Sequence, residues 1–271
     1  MKRQVGRMLA VASLFSAMAG GMASAADIAM KAPPMVPSSA VDRWSGWYAG
    51  VNGGWSFNNN ATGRLVSADP LFSGVLAAGG TPTFFGAGHE GGFGGGQVGY
   101  NWQLSHWLVG VEADIQGAEI GRTTALAFPG DNTFVPSVSS ARDHIDWFGT
   151  LRGRIGLTAG PALFYATGGL AYGGVRTTIS NDYSPAAGNF HGSDSSTRFG
   201  WAAGAGIEWG FASSWTLRGE YLHFDLGRTN LAMVDPGFPG VSATYDFSHA
   251  ADLVRVGVNY RFAPAATSAR Y

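Results

Sequence analysis

The chain reads as all-β: an eight-stranded antiparallel up-and-down transmembrane β-barrel with long extracellular loops and short periplasmic turns. Three observations predict this class. Apolar residues recur at every second position in successive segments, the period of a strand and not of a helix. The connections between those segments alternate between short and long. Charged residues are only 13% of the 271, about half the usual share, while hydrophobic residues reach 45% and aromatics 13%, a balance that suits lipid contact.

Composition also excludes. There is no Cys, so a thiolate nucleophile, a disulfide frame and a Cys-ligated zinc site are ruled out. A net charge of −1 with only two lysines gives no basic surface for phosphate, so nucleic acid is not a partner.

The elements follow in order. Lys2, Arg3 and Arg7 form a positive start, residues 8–19 an apolar core, and Ala23-Ser24-Ala25 a small-residue cleavage site. Residues 1–25 are therefore expected to be a cleaved signal peptide, too short in its apolar part to span a membrane as a helix. No later stretch is apolar enough for such a helix. Pro33, Pro34, Pro37, Ser38 and Ser39 make 26–46 a Pro-rich periplasmic linker, 47–262 is the barrel, and 263–271 is a C-terminal tail.

In the first strand Trp47, Ala49, Val51 and Trp55 share a face opposite Tyr48 and Asn52. The second sets Val98, Tyr100 and Trp102 against Gln97 and Asn101; the third sets Trp107, Val109, Val111 and Ile115 against Glu112 and Asp114. The fourth sets Trp147, Leu151, Ile155 and Leu157 against Asp146, Arg152 and Arg154. The fifth, 162–177, has no charge before Arg176, so its faces stay unassigned. The sixth sets Phe199, Trp201, Ile207 and Trp209 against Arg198 and Glu208. The seventh sets Trp215, Leu217 and Tyr221 against Arg218 and Glu220, and its pattern inverts after Leu222, which suggests a bulge or an exit from the membrane. The eighth sets Val254, Val256, Val258 and Tyr260 against Arg255, Asn259 and Arg261. Residues 103–106, 158–161 and 211–214 are the tight turns; 57–93, 119–142, 178–195 and 229–243 are the long loops.

Alternation alone does not say which face meets lipid. The polar face carries Glu112, Asp114, Asp146, Glu208 and Glu220 with Arg152, Arg154, Arg198, Arg218, Arg255 and Arg261. Every base is Arg, which suits enclosed multidentate pairing. Turned to lipid, each midplane Arg costs roughly 2–4 kcal/mol. The charges are therefore expected to face inward as a salt-bridged network that narrows or plugs the lumen, since eight strands leave room for little beyond side chains. Trp47, Trp102, Trp107, Trp209 and Trp215 cluster toward the short turns and Trp55, Trp147 and Trp201 toward the long loops, as two interfacial girdles.

The signal peptide, the Lys31-Ala32-Pro33-Pro34 segment and Trp47-Tyr48-Ala49-Gly50 resemble the alphaproteobacterial outer-membrane surface-antigen family, the immunogenic or porin-family proteins with OmpA-like eight-stranded barrels. Gly110-Val111-Glu112-Ala113-Asp114, Leu151-Arg152-Gly153-Arg154-Ile155-Gly156 and Gly257-Val258-Asn259-Tyr260-Arg261-Phe262 are similar to family segments in the same order, so the resemblance covers nearly all of 1–262. It implies a surface-exposed protein of the Gram-negative outer membrane. Its partners would be outer-membrane lipid and lipopolysaccharide, with the Sec translocon and the barrel-assembly machinery during biogenesis. Oligomeric state is left open. Family members end at the last strand's Phe, whereas nine residues follow Phe262 here. Either the machinery reads Val256 to Phe262 internally or Tyr271 supplies the terminal aromatic.

Gly94 to Gly99 fits a G-x-G-x-x-G pattern but lacks a βαβ setting, and His89-Glu90 lacks a second His at helical spacing. No cofactor and no metal set is assigned. Two alternatives to a structural, porin-like barrel remain. His89, His191 and His249 with Tyr245, all toward the outer half, are candidate haem or metal ligands. Ser248, His249 and Asp246 have the residue types of a lipid-modifying site, against a leading reading of no enzyme.

Overall fold

The computed structural model describes residues 43–58, 62–70, 72–73, 81–86, 88–129, 136–183 and 188–262. The expected signal peptide, most of the linker and the tail lie outside the described residues. Ten strands form: β1 (Gly46–Asn58), β2 (Thr62–Ala68), β3 (Phe84–Gly86), β4 (His89–Leu104), β5 (Trp107–Phe128), β6 (Ser137–Ala159), β7 (Ala162–Tyr183), β8 (Asn189–Gly210), β9 (Trp215–Val234) and β10 (Ser242–Arg261).

Eight of them close a ring in the order β1-β4-β5-β6-β7-β8-β9-β10, sealed by β1 on β10 from Tyr48↔Arg261 to Ser56↔Leu253. Every neighbouring pair is antiparallel. Full closure removes the edges that an open sheet exposes. β2 carries on where β1 stops, pairing with β10 from Gly63↔Phe247 to Ala68↔Ala243, and β3 returns alongside β2. The short turns are at Ser105-His106 and Gly160-Pro161, where Ser105 (φ 59°) and Gly160 (φ 60°) take the left-handed conformation that so tight a reversal needs, and at 211–214.

The apolar rows face outward. Trp47, Val51, Ile115, Leu151, Ile207 and Val256 are all more than half exposed on the outer wall, while Arg152, Arg218 and Arg255 are each 1% exposed inside. β7, whose faces composition left unassigned, sends Phe164 and Leu170 outward and Leu163, Tyr165 and Ala171 inward.

Two readings of the sequence change. The segments taken as long loops are largely strand: β5 to β10 run 20 to 23 residues, and their upper connections shrink to 129–136, 184–188 and 235–241. A bilayer needs only about 9–11 residues per strand, so the wall rises well past it. Above the lipid the outward face meets water, so the alternation turns over to polar-out and apolar-in. β6 shows this with Arg142 and His144 outward and Ala141 and Ile145 inward. The second change is on β9. Leu222, Phe224 and Leu226 keep facing inward after Glu220, and the strand bulges later, beside Gly227 (φ 82°), where its register on β10 shifts between Ser248 and Ala250. The inversion after Leu222 is a change in what fills the lumen, from charged to apolar.

Candidate functional site

The lumen is packed in layers, and the pleat of each strand stacks them. Along β6 the inward residues climb from Arg154, Arg152 and Thr150 to Phe148 and Ile145, then Asp143, then Ala141. Along β10 they climb from Arg255 to Leu253 and Ala251, then His249, then Phe247 and Tyr245. Charge, oil, a second polar layer and oil again thus follow one another from the short turns upward.

The charged layer joins Glu112, Asp114, Glu208 and Glu220 to Arg152, Arg154, Arg218 and Arg255, four carboxylates against four guanidiniums, all nearly sealed from solvent. Register supplies part of it, because Glu112 sits opposite Arg152 and Glu220 opposite Arg255 on adjacent strands, while Glu208, opposite Arg218, pairs instead with Arg154. Arg152 is the hub: Nη2 lies 2.6 Å from Glu112 Oε1 and 3.0 Å from Asp114 Oδ2, Nη1 2.9 Å from Glu220 Oε1, and Nε donates to Thr150 Oγ1 at 2.8 Å. Arg218 forks onto Glu112 and reaches Glu220 at 3.2 Å. Arg255 Nη1 lies 3.1 Å from Asp114 and Nη2 2.6 Å from Glu220. Arg154 Nη2 donates to Glu208 at 2.9 Å and stacks its guanidinium 4.2 Å from the centre of the Tyr165 ring. Such fork geometry is what Arg offers over Lys.

Two tyrosines complete the layer, and composition did not single them out for it. Tyr48 Oη donates to Glu112 at 2.6 Å and accepts from Arg154 at 2.9 Å; Tyr165 Oη donates to Glu220 at 2.5 Å. Each ring lies flat on the wall because its cross-strand neighbour is glycine: a Cβ at Gly99 would collide with the Tyr48 ring, and one at Gly206 with Tyr165. Tyr48 does stand on the polar face of its strand, which was the available signal.

Three of the eleven candidate charges do not join. Asp146 points outward, half exposed, and meets Arg176 at 3.5 Å. The cause is a bulge in β6, where the register shifts between Ile145 and Trp147 and both Asp146 and Trp147 land on the outer side. Arg198 lies higher, where β8 and β9 part between His191 and Trp201; it pairs with Asp194 at 3.1 Å and donates to the Arg228 carbonyl at 3.0 Å. Arg261 is at the short-turn mouth, 5.1 Å from the Trp44 ring and donating to the Ser213 carbonyl at 3.0 Å.

Above the charges, Phe93, Phe148, Leu222, Phe224 and Leu253 belong to one buried apolar cluster. Above that, Asp143 Oδ2 lies 3.0 Å from His89 Nε2 and 3.2 Å from His249 Nδ1, with all three residues buried. Thr177 donates to Asp143 Oδ1 at 2.8 Å, and Thr229 Oγ1 is 2.7 Å from His249 Nε2. Burial pushes the Asp143 carboxyl up, but the contacts from His249 and His89 outweigh it and hold the group well below the usual aspartate range. A second apolar cluster, with Phe85, Tyr245 and Phe247, closes the top.

The four haem candidates do not converge. His191 is exposed on the outer wall near Asp182, and Tyr245 is turned inward, donating to the Pro82 carbonyl at 2.7 Å. His89 and His249 do meet, but Asp143 Oδ2 sits against both rings and all three residues are sealed inside the lumen, which leaves no room for a macrocycle between them. Ser248 and His249, as neighbours on a strand, point to opposite faces, and Asp246 pairs outside with Arg228 at 3.6 Å, so no Ser–His–Asp site forms. Of the eight tryptophans expected in the girdles, seven are about half exposed or more on the outer wall; Trp147 is half-buried against Tyr172.

A family model described as the outer membrane protein beta-barrel domain matches residues 9–262. The 31 kDa outer-membrane immunogenic protein of Brucella melitensis biotype 1 is 35% identical over 255 residues, covering 91% of this chain and 96% of that protein. The 22 kDa outer membrane protein of Rhizobium leguminosarum is 33% identical over 176 residues, 64% of this chain and 68% of that one. Among solved structures, the outer membrane protein OprG from Pseudomonas aeruginosa aligns over 81% of this chain and 97% of its own at 13% identity, with a TM-score of 0.45. A closed antiparallel ring with an apolar outer wall, together with the family model's match over residues 9–262 and the 35% identity to the Brucella protein, makes the chain a member of the outer membrane protein β-barrel family, a surface protein of the cell outer membrane.

Proposed function

We propose that this surface barrel is a closed scaffold rather than a diffusion pore, with its lumen blocked first by the charged layer and again by the apolar layer above it. The observation that carries the reading is the mutual pairing of eight buried charges: four acids and four arginines, each within hydrogen-bonding reach of the other set. A gap wide enough for solute needs several of these pairs broken at once, and each severed partner left buried costs several kcal/mol. The outward tryptophans near the two ends of the apolar wall act as membrane-interface girdles in this reading. Lipid and lipopolysaccharide are the partners of that wall. Residues 1–25 direct export through the Sec translocon, and the barrel-assembly machinery inserts the rest. In this reading the role is non-catalytic; the Ser248 and His249 of the lipid-modifying alternative stand on opposite sides of the wall.

Planar-bilayer recording tests it. The wild-type barrel is expected to insert without discrete conductance steps. Arg154→Ala alone stays silent, because Phe93, Phe148 and Phe224 still fill the lumen above it. Arg152→Ala and Arg154→Ala combined with alanine at those three phenylalanines and at Phe85 and Phe247, so that the charged layer and both apolar clusters are breached, opens measurable steps. Stable steps from the wild-type protein overturn the reading.

A further inference from the structure

The charged layer neutralises itself, but the upper polar layer does not. Asp143 is buried between two apolar clusters, and among the described residues its ion-pairing partners are His89 and His249, with no arginine or lysine. With neutral imidazoles the layer carries an uncompensated negative charge in a region of low dielectric, a costly arrangement that a cation relieves. The ligand atoms of His89, Asp143 and His249 lie within 4.8 Å of one another.

We propose that His89, Asp143 and His249 form a site for one divalent transition-metal ion of the zinc class, enclosed in the outer half of the barrel. Two imidazole nitrogens and one carboxylate oxygen are a borderline donor set that zinc, cobalt(II) and copper(II) accept, and three protein ligands leave a fourth position open. Tetrahedral ligands at zinc distances stand about 3.3 Å apart, and the two His–Asp separations are already 3.0 and 3.2 Å. The surroundings match a ligand sphere. His249 uses Nδ1 toward the centre, leaving Nε2 to donate to Thr229 Oγ1, and Thr177 fixes the other oxygen of Asp143. The ligands come from β4, β6 and β10, so the ion also ties strands that are not neighbours in the ring.

The full chain refolded in detergent with zinc chloride, or with cobalt(II) chloride, and then freed of loose metal provides the test. The expected content is about one ion per chain, and the cobalt form shows the intense visible bands of a tetrahedral site. His89→Gln and His249→Gln, checked as folded by heat-shifted gel mobility, lose metal at least about tenfold, whereas His191→Gln retains it. Metal retained by the folded His89→Gln/His249→Gln double variant overturns the proposal. So does a wild-type barrel that holds no zinc and gives no cobalt bands, an outcome that needs no variant to fold and that leaves a proton as the layer's cation. Neither result depends on conductance.

Discussion

The same cylinder contains two polar layers built on different principles. The lower one, at membrane height, has four charges of each sign on fixed forks, and nearly every group has two or more partners. The upper one, outside the lipid, gathers three titratable groups around a single carboxylate oxygen. The lower layer is redundant: neighbouring forks still hold a carboxylate when one pair weakens. The upper layer has one centre, and everything in it answers to Asp143. Charge number alone does not set how strongly a buried layer holds the wall together; the count of partners per group does.

The largest effect should come from removing the hub of the lower layer. Arg152→Ala leaves Glu112, Asp114 and Glu220 short of a partner at once, and a loss of about 3–5 kcal/mol is expected, read as a drop in the midpoint of the heat-shifted gel band. A loss below about 1 kcal/mol, the size of one ordinary hydrogen bond, would break the contrast by making the network dispensable.

A smaller effect belongs to the upper layer. Asp143→Asn should cost about 1–3 kcal/mol and change the pH dependence. The folded Asp143 carboxyl is held below its ordinary value, so its contribution is complete above about pH 4 and fades as pH falls through the depressed value. Urea midpoints measured in detergent down the acid limb should therefore fall more gently for Asp143→Asn than for the wild type. Parallel slopes would remove Asp143 as the acid-sensitive centre.

The smallest effect is expected where the sequence reading grouped a residue with the network and the structure does not. Asp146 and Arg176 are half exposed and 3.5 Å apart on the outer wall. Asp146→Ala should stay within about 0.5 kcal/mol of the wild type by the same gel midpoint. A loss approaching that of Arg152→Ala would put Asp146 back among the buried charges.

These residues also mark what was legible beforehand. Strand period and the Arg-only polar face were enough for the eight-strand ring and for the inward direction of Arg152, Arg154, Arg218 and Arg255. Asp146 was misplaced because a one-residue bulge reverses every face beyond it, and nothing in the local composition marks that step. The upper strands were hidden because the cue used to find strands, apolar residues on the outer side, holds only while lipid surrounds the wall. His89, Asp143 and His249 are dozens of positions apart or more, on β4, β6 and β10, and only the register brings them together. Tyr48 and Tyr165 needed Gly99 and Gly206 opposite them, a cross-strand relation with no trace along the chain.

The apolar slab of Phe93, Phe148 and Phe224 has a consequence for how such a protein can change. Stacked obstacles behave like shut valves in series: no current flows while any one of them stays closed. Substitutions can therefore accumulate in any single stratum while the outer membrane stays tight, and leakiness emerges only when every stratum is breached in the same molecule.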